Sequence, residues 1–232
     1  MPVSKPLCAL VLAAALASAA PAFSQDIDPG ILDAQTGDWL VASEDGSPGC
    51  VLKLSKEQAI GGYSVAGAEQ CKGSVAGIAD AAAWNFDGNG GIILIDPIRK
   101  VLMRFIENEG FPLRTEESAG PVFDMVPVIK GVDRLPVAAA IKGEWLMKRP
   151  SGEILCKISL GDTRGEDENY PMKTAGACDT AVKKLDFSLW SASGLGITMM
   201  NTEGGSLSFV ATPDGFDKAP EEGGKPLALV RP

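Results

Sequence analysis

Histidine is absent from all 232 residues, and this single absence removes most of the chemistry a sequence can advertise. Without imidazole there is no Ser-His or Cys-His nucleophile pair, and both the commonest general base and the commonest zinc ligand are missing. No GxxxxGK phosphate loop occurs, and "GLG" at Gly194 lacks the rest of a dinucleotide fingerprint. Glu116 and Glu117 would supply the two carboxylates that glycoside hydrolysis uses, but side by side in a Gly/Pro-rich stretch they read as surface. "DGNGG" from Asp87 is a single glycine-rich copy between apolar runs, which reads as a hairpin turn and not as a calcium site. The sequence therefore offers no catalytic residue, no metal ligand set and no cofactor site, and we read the protein as a non-enzyme.

What remains is thiol chemistry. Of five cysteines, Cys8 falls inside the first 24 residues. There Lys5, an apolar run from Leu7 to Leu16 and the small residues Ala19, Ala22 and Ser24 read as a secretory signal. The run is shorter than the roughly 20 residues a spanning helix needs. Cleavage after Ser24 would make Gln25 the new terminus of a periplasmic protein with no integral membrane segment. Cys50, Cys71, Cys156 and Cys178 are then left in an oxidising compartment, where an even count implies disulfides, and four cysteines allow three pairings. Zinc spacings of two to four residues are absent.

A repeat selects among the three. "GDWLVASEDGSPGCVLKL" from Gly37 and "GEWLMKRPSGEILCKISL" from Gly143 are variants of one another, and Trp39, Cys50, Cys71 and Trp84 recur as Trp145, Cys156, Cys178 and Trp190, at offsets of 106 or 107. Phe105 matches Phe209, and the Gly110–Phe111 pair matches Gly215–Phe216. Because each copy owns one cysteine pair, the economical bridges are Cys50 to Cys71 and Cys156 to Cys178. Each closes a loop worth about 3 kcal/mol in the chain-entropy model.

The elements that hold these residues read as strands. Cys156, Ile158 and Leu160 alternate with polar neighbours, as do Leu185, Phe187 and Leu189, and Val101, Met103 and Phe105 alternate likewise. Turn signals separate them at Glu44, Asp87, Thr202 and Pro213. Helix is confined to "DPGILDAQTG" before Trp39 and "LPVAAAIKG" before Trp145, each with a Pro near its start and a Gly as its stop. The fold class is all-β: two tandem antiparallel eight-stranded barrels of about 100 residues, each with one disulfide and a short N-terminal helix. The expected division is 1–24 signal, 25–130 first barrel and 131–232 second barrel, with few contacts across the junction at Ile129 to Arg134 and with Trp39, Trp84, Trp145 and Trp190 anchoring the cores.

A net charge of −9 argues against nucleic-acid phosphates as partners. The acidic "GEDENY" around Glu166 reads as solvated surface.

The ordered set of GxW, a first Cys, a second Cys and a second Trp resembles the bacterial Inh family, inhibitors of secreted zinc metalloproteases of the serralysin type. "LPVAAAIKGEW" is similar to the family's short helix and its passage into the first strand. The resemblance implies an eight-stranded barrel with one disulfide, and an N-terminal arm whose terminal amine approaches the catalytic zinc of the protease while barrel residues support the contact. Carried to this sequence, the arm is Gln25, Asp26, Ile27, Asp28 and Pro29, and the partner is a secreted zinc metalloprotease. In the second copy the equivalent "GVDRLP" is internal and has no free amine. Two other functions remain open from the residues: a cell-envelope interaction module of the same fold without inhibition, and a small-ligand carrier that would need a cavity inside a barrel.

Overall fold

The structure is a computed structural model and describes residues 27–107, 112–165, 167 and 169–232. The signal-like segment, Gln25, Asp26, the Gly110–Phe111 pair and Glu166 lie outside the described residues.

Alternating apolar residues do form strands. The N-terminal half contains a helix α1 (Pro29–Gln35) and strands β1 (Gly37–Ser43), β2 (Cys50–Ala59), β3 (Gly62–Ala66), β4 (Ala83–Phe86), β5 (Ile92–Ile95), β6 (Val101–Phe105), β7 (Leu113–Arg114) and β8 (Phe123–Pro127). The C-terminal half contains α2 (Ala138–Ile141), β9 (Gly143–Lys148), β10 (Ile154–Leu160), β11 (Tyr170–Ala175), α3 (Thr180–Lys183), β12 (Leu189–Ser193), β13 (Gly196–Met200), β14 (Ser206–Thr212), β15 (Gly215–Lys218) and β16 (Ala228–Val230). The turn signals at Glu44, Asp87, Thr202 and Pro213 each fall between two paired strands.

Each half is one eight-stranded antiparallel sheet, and the two differ at the seam. In the C-terminal half β16 pairs with β9, Leu229 opposite Met147, and the barrel closes. In the N-terminal half the order runs β6-β5-β4-β3-β2-β1-β8-β7, and the terminal strands meet through one bridge, Ile106 to Arg114. A β7 of two residues cannot carry more than that.

The disulfides are Cys50–Cys71 and Cys156–Cys178, one per half. Each half has its own apolar core around a fully buried tryptophan, Trp84 or Trp190. The indoles are held alike: Trp84 Nε1 donates to the Ser55 carbonyl at 2.9 Å and Trp190 Nε1 to the Gly161 carbonyl at 3.1 Å. Tyr63 and Tyr170 stack on these rings at centroid distances of 5.2 and 4.9 Å.

Three expectations are corrected. Leu185 and Phe187 are not strand residues: α3 follows Cys178, Asp186 takes a positive φ of 48°, and β12 starts only at Leu189. The inward residue there is Trp190, so the alternation from Leu185 to Leu189 was out of phase with the barrel. The match of Phe111 to Phe216 also gives way, because Leu113 sits opposite Met125 as Phe216 sits opposite Leu229. Finally, the junction is packed. Leu40, Ala42 and Val126 from the outer face of β1 and β8 form a third apolar cluster with Leu135 and with Leu195 of the β12–β13 turn, flanked by Val128, Ile129 and Val132. The Gly49 N–H donates to the Asp133 carbonyl at 2.7 Å across the same junction.

Candidate functional site

The sequence placed function on the residues leading into the first half. Of the proposed arm, the structure describes Ile27, Asp28 and Pro29: Ile27 is half-buried and the other two are exposed. Asp28 is the N-cap of α1, its carboxylate accepting from the Gly30 N–H at 2.7 Å, and Pro29 occupies the first helical turn, where its missing N–H costs nothing. The helix has no buried residue of its own, yet it is pinned at three points. Leu32 packs on the N-terminal core, Trp39 Nε1 donates to the Gln35 carbonyl at 3.0 Å, and Asp33 forms an ion pair with Lys56 of β2. Gln35 Oε1 is buried with no partner among the described residues. Asp28 and Pro29 therefore belong to a fixed helix, and of the described residues only Ile27 precedes it.

The equivalent residues of the second half do the opposite. Trp145 Nε1 repeats the tie, donating to the Ile141 carbonyl at 2.7 Å. But Leu135 is only 4% exposed and belongs to the cluster between the halves, and Asp133 is held by Gly49. Arg231 locks α2 from the far end of the chain. Its guanidinium lies 4.1 Å over the Trp145 ring and donates to the Ala140 carbonyl at 2.8 Å and the Lys142 carbonyl at 2.9 Å. These are orphan carbonyls of a helix C-terminus, and a cation is favoured there. Burial pulls the Arg231 guanidinium below its ordinary pKa.

A charged cleft of about 260 Å³ lies between the halves, with Glu44, Arg114, Asp124, Arg164, Tyr170 and Ser193 among its walls. Asp124 is 1% exposed and accepts two hydrogen bonds from Arg114, at 2.8 and 3.1 Å. Arg114 Nη2, which also donates to Asp124, lies 2.5 Å from the Glu44 carboxylate. The hydrogen bonds that Arg114 donates to Asp124 hold its pKa up, while burial pushes the Glu44 carboxyl up against the opposing pull of Arg114. Both carboxylates are committed to one guanidinium, which makes this a structural ion cluster without a poised acid or base. Sequence reading missed it, although one Asp inside the apolar run "VFDMV" was a signal that a buried partner existed. Glu116 and Glu117 are exposed, and among the described residues no group of three His, Cys, Asp or Glu side chains is placed to hold a metal. The barrel interiors are filled by Trp84, Phe105, Trp190 and Phe209, each no more than 1% exposed.

Among the described residues, no helix is long and apolar enough to cross a membrane. No curated protein matches the chain. The sequence model of the family described as Protease inhibitor Inh matches twice, over residues 32–122 and 135–231. Each match contains one of the two sheets' tryptophan pairs and one disulfide. With most of its length covered, the chain belongs to the protease inhibitor Inh family, of which it carries two tandem copies.

Proposed function

We propose that the protein is a periplasmic inhibitor of a secreted zinc metalloprotease of the serralysin type, and that inhibition resides in the first copy. Export would remove residues 1–24 and leave Gln25 as a free terminus, two residues ahead of Ile27. A catalytic zinc keeps one coordination position open for water or substrate, and a neutral terminal amine can take that position where an internal peptide nitrogen cannot. The observation that carries the reading is the inequality of the two leading segments. Ile27 stands ahead of a helix pinned to its own half, with Asp28 as the cap and Pro29 within the first turn, whereas Val132 and Leu135 are packed between the halves and the Asp133 carbonyl is tied to the Gly49 N–H.

The arm supplies only a few contacts. The barrel must therefore contribute most of a standard protease-inhibitor interface of about 1,600 Å² in total. The test is N-terminal sequencing of the exported protein, followed by inhibition assays against a serralysin-type protease. Deletion of Gln25 to Ile27 keeps the Asp28 cap and with it α1. Inhibition should be lost in that deletion and weakened when one residue is added ahead of Gln25. Undiminished inhibition by the deletion would refute the reading.

A further inference from the structure

The N-terminal sheet has an open seam that the C-terminal barrel has closed. Ile106 exchanges both main-chain hydrogen bonds with Arg114, at 2.8 and 3.0 Å. Alternate residues of an antiparallel strand turn their N–H and C=O to the same neighbour, so Arg104 also faces the seam. The β7 line runs one residue further, the Thr115 N–H donating to the Phe123 carbonyl at 3.0 Å in register with the Leu113–Met125 pair, before Glu117–Ala119 coils into a 3₁₀ turn. Among the described residues nothing meets the Arg104 N–H or C=O. In the closed barrel the corresponding residue is Ser208, next to Phe209 as Arg104 is to Phe105. Its carbonyl accepts from the Ala219 N–H at 2.9 Å and its N–H donates to Glu222 Oε1 at 2.8 Å.

Beside Arg104 runs a groove of about 370 Å³, bounded by the β6 edge from Val101 to Arg104 and by Thr115, Glu116, Pro121 and Phe123. Higher up, β7 alone separates β6 from β8, and below the Thr115–Phe123 pair the groove lies between the Arg104 edge and the wall of Thr115 and Glu116. Met103 and Phe123 are half-buried against the N-terminal core. Glu116 is exposed and forms no ion pair among the described residues, whereas the Arg104 guanidinium is already held by Asp87 at 2.9 Å.

We propose that this seam is a docking site for an extended peptide strand of a partner protein. The strand pairs antiparallel to β6 through the main chain of Arg104, rests an apolar side chain on Met103 and Phe123, and sets a basic side chain against Glu116. An unpaired strand edge selects another extended main chain, because only that presents donors and acceptors at the matching spacing. The antiparallel run of β7 beside β6 fixes the direction, and the unpaired Glu116 fixes the charge. The inference goes beyond inhibition and does not rest on the arm.

The probe is the peptide acetyl-Thr-Val-Lys-Val-Thr-amide, titrated into the ¹⁵N-labelled full chain lacking residues 1–24. The expected result is saturable shifts at Met103 to Ile106 and at Phe123, with hydrogen exchange at the Arg104 amide slowed at least tenfold. Arg104→Pro deletes the N–H and should weaken binding at least tenfold. Since that change also breaks the pair with Asp87, Glu116→Lys is the second variant, expected to weaken binding about threefold, as a surface charge pair does. Three results would each overturn the proposal: shifts elsewhere than on β6, equal affinity for the peptide with proline in place of its lysine, or concentration-dependent dimerisation through β6 without peptide, which would make a second copy the occupant.

Discussion

The two halves carry the same scaffold and have been used differently. Their disulfides, their buried tryptophans and the indole-to-carbonyl ties of Trp39 and Trp145 correspond one to one. They diverge where the scaffold meets something else. The outer face of β1 carries Leu40 and Ala42, buried against the second half, whereas the outer face of β9 carries half-buried Leu146 and Lys148. Ahead of α1 stands half-buried Ile27, with Asp28 capping the helix, while α2 is clamped by Arg231. A duplicated fold keeps the residues that make the fold and varies those that decide what each copy touches.

The largest effect should come from breaking the shared part. Trp84→Ala and Trp190→Ala each remove a fully buried indole and should cost about 4 kcal/mol. Calorimetry should show the loss in the half that carries the change, and equal losses in both halves would deny them separate cores. Next comes a device of the first half alone. Asp124→Ala leaves Arg114 partly buried and without its bidentate partner and should cost about 3 kcal/mol, read as a lower urea midpoint. Smaller again is the contact between halves. Leu195→Ala truncates a residue 8% exposed in the junction cluster, and should cost about 2 kcal/mol and split one thermal transition into two. An unchanged single transition would mean that the halves are coupled elsewhere. The smallest effect is at Gln35, whose buried Oε1 lacks a partner: Gln35→Met should raise stability by up to about 1 kcal/mol without loss of inhibition.

Much of this was legible in the residues. The recurrence of Trp39, Cys50, Cys71 and Trp84 implied both cores and both bridges, and Gly-rich turns marked hairpins because few residues tolerate positive φ, as at Gly88 and Gly204. What was not legible depended on partners distant in the chain. The unbroken apolar Leu40-Val41-Ala42 signals a strand buried on both faces, but nothing in it names Leu195 as the cover. Likewise no local pattern announces that the chain coils at Glu117–Ala119, just after Thr115 pairs with Phe123. The inequality of the arm segments was half legible: the second lacks a terminus by sequence, but its clamping needed the fold.

The central claim is that this inequality decides function, and one measurement addresses it directly. Inhibition constants against a serralysin-type protease should be compared for the exported chain with a free Gln25 amine and for the same chain after cyclisation of that glutamine, which removes the amine and leaves every barrel contact in place. The account predicts a loss of at least tenfold on cyclisation, with unfolding transitions unchanged. Equal inhibition by the two forms would contradict it, and would place the inhibitory contact on the barrels themselves.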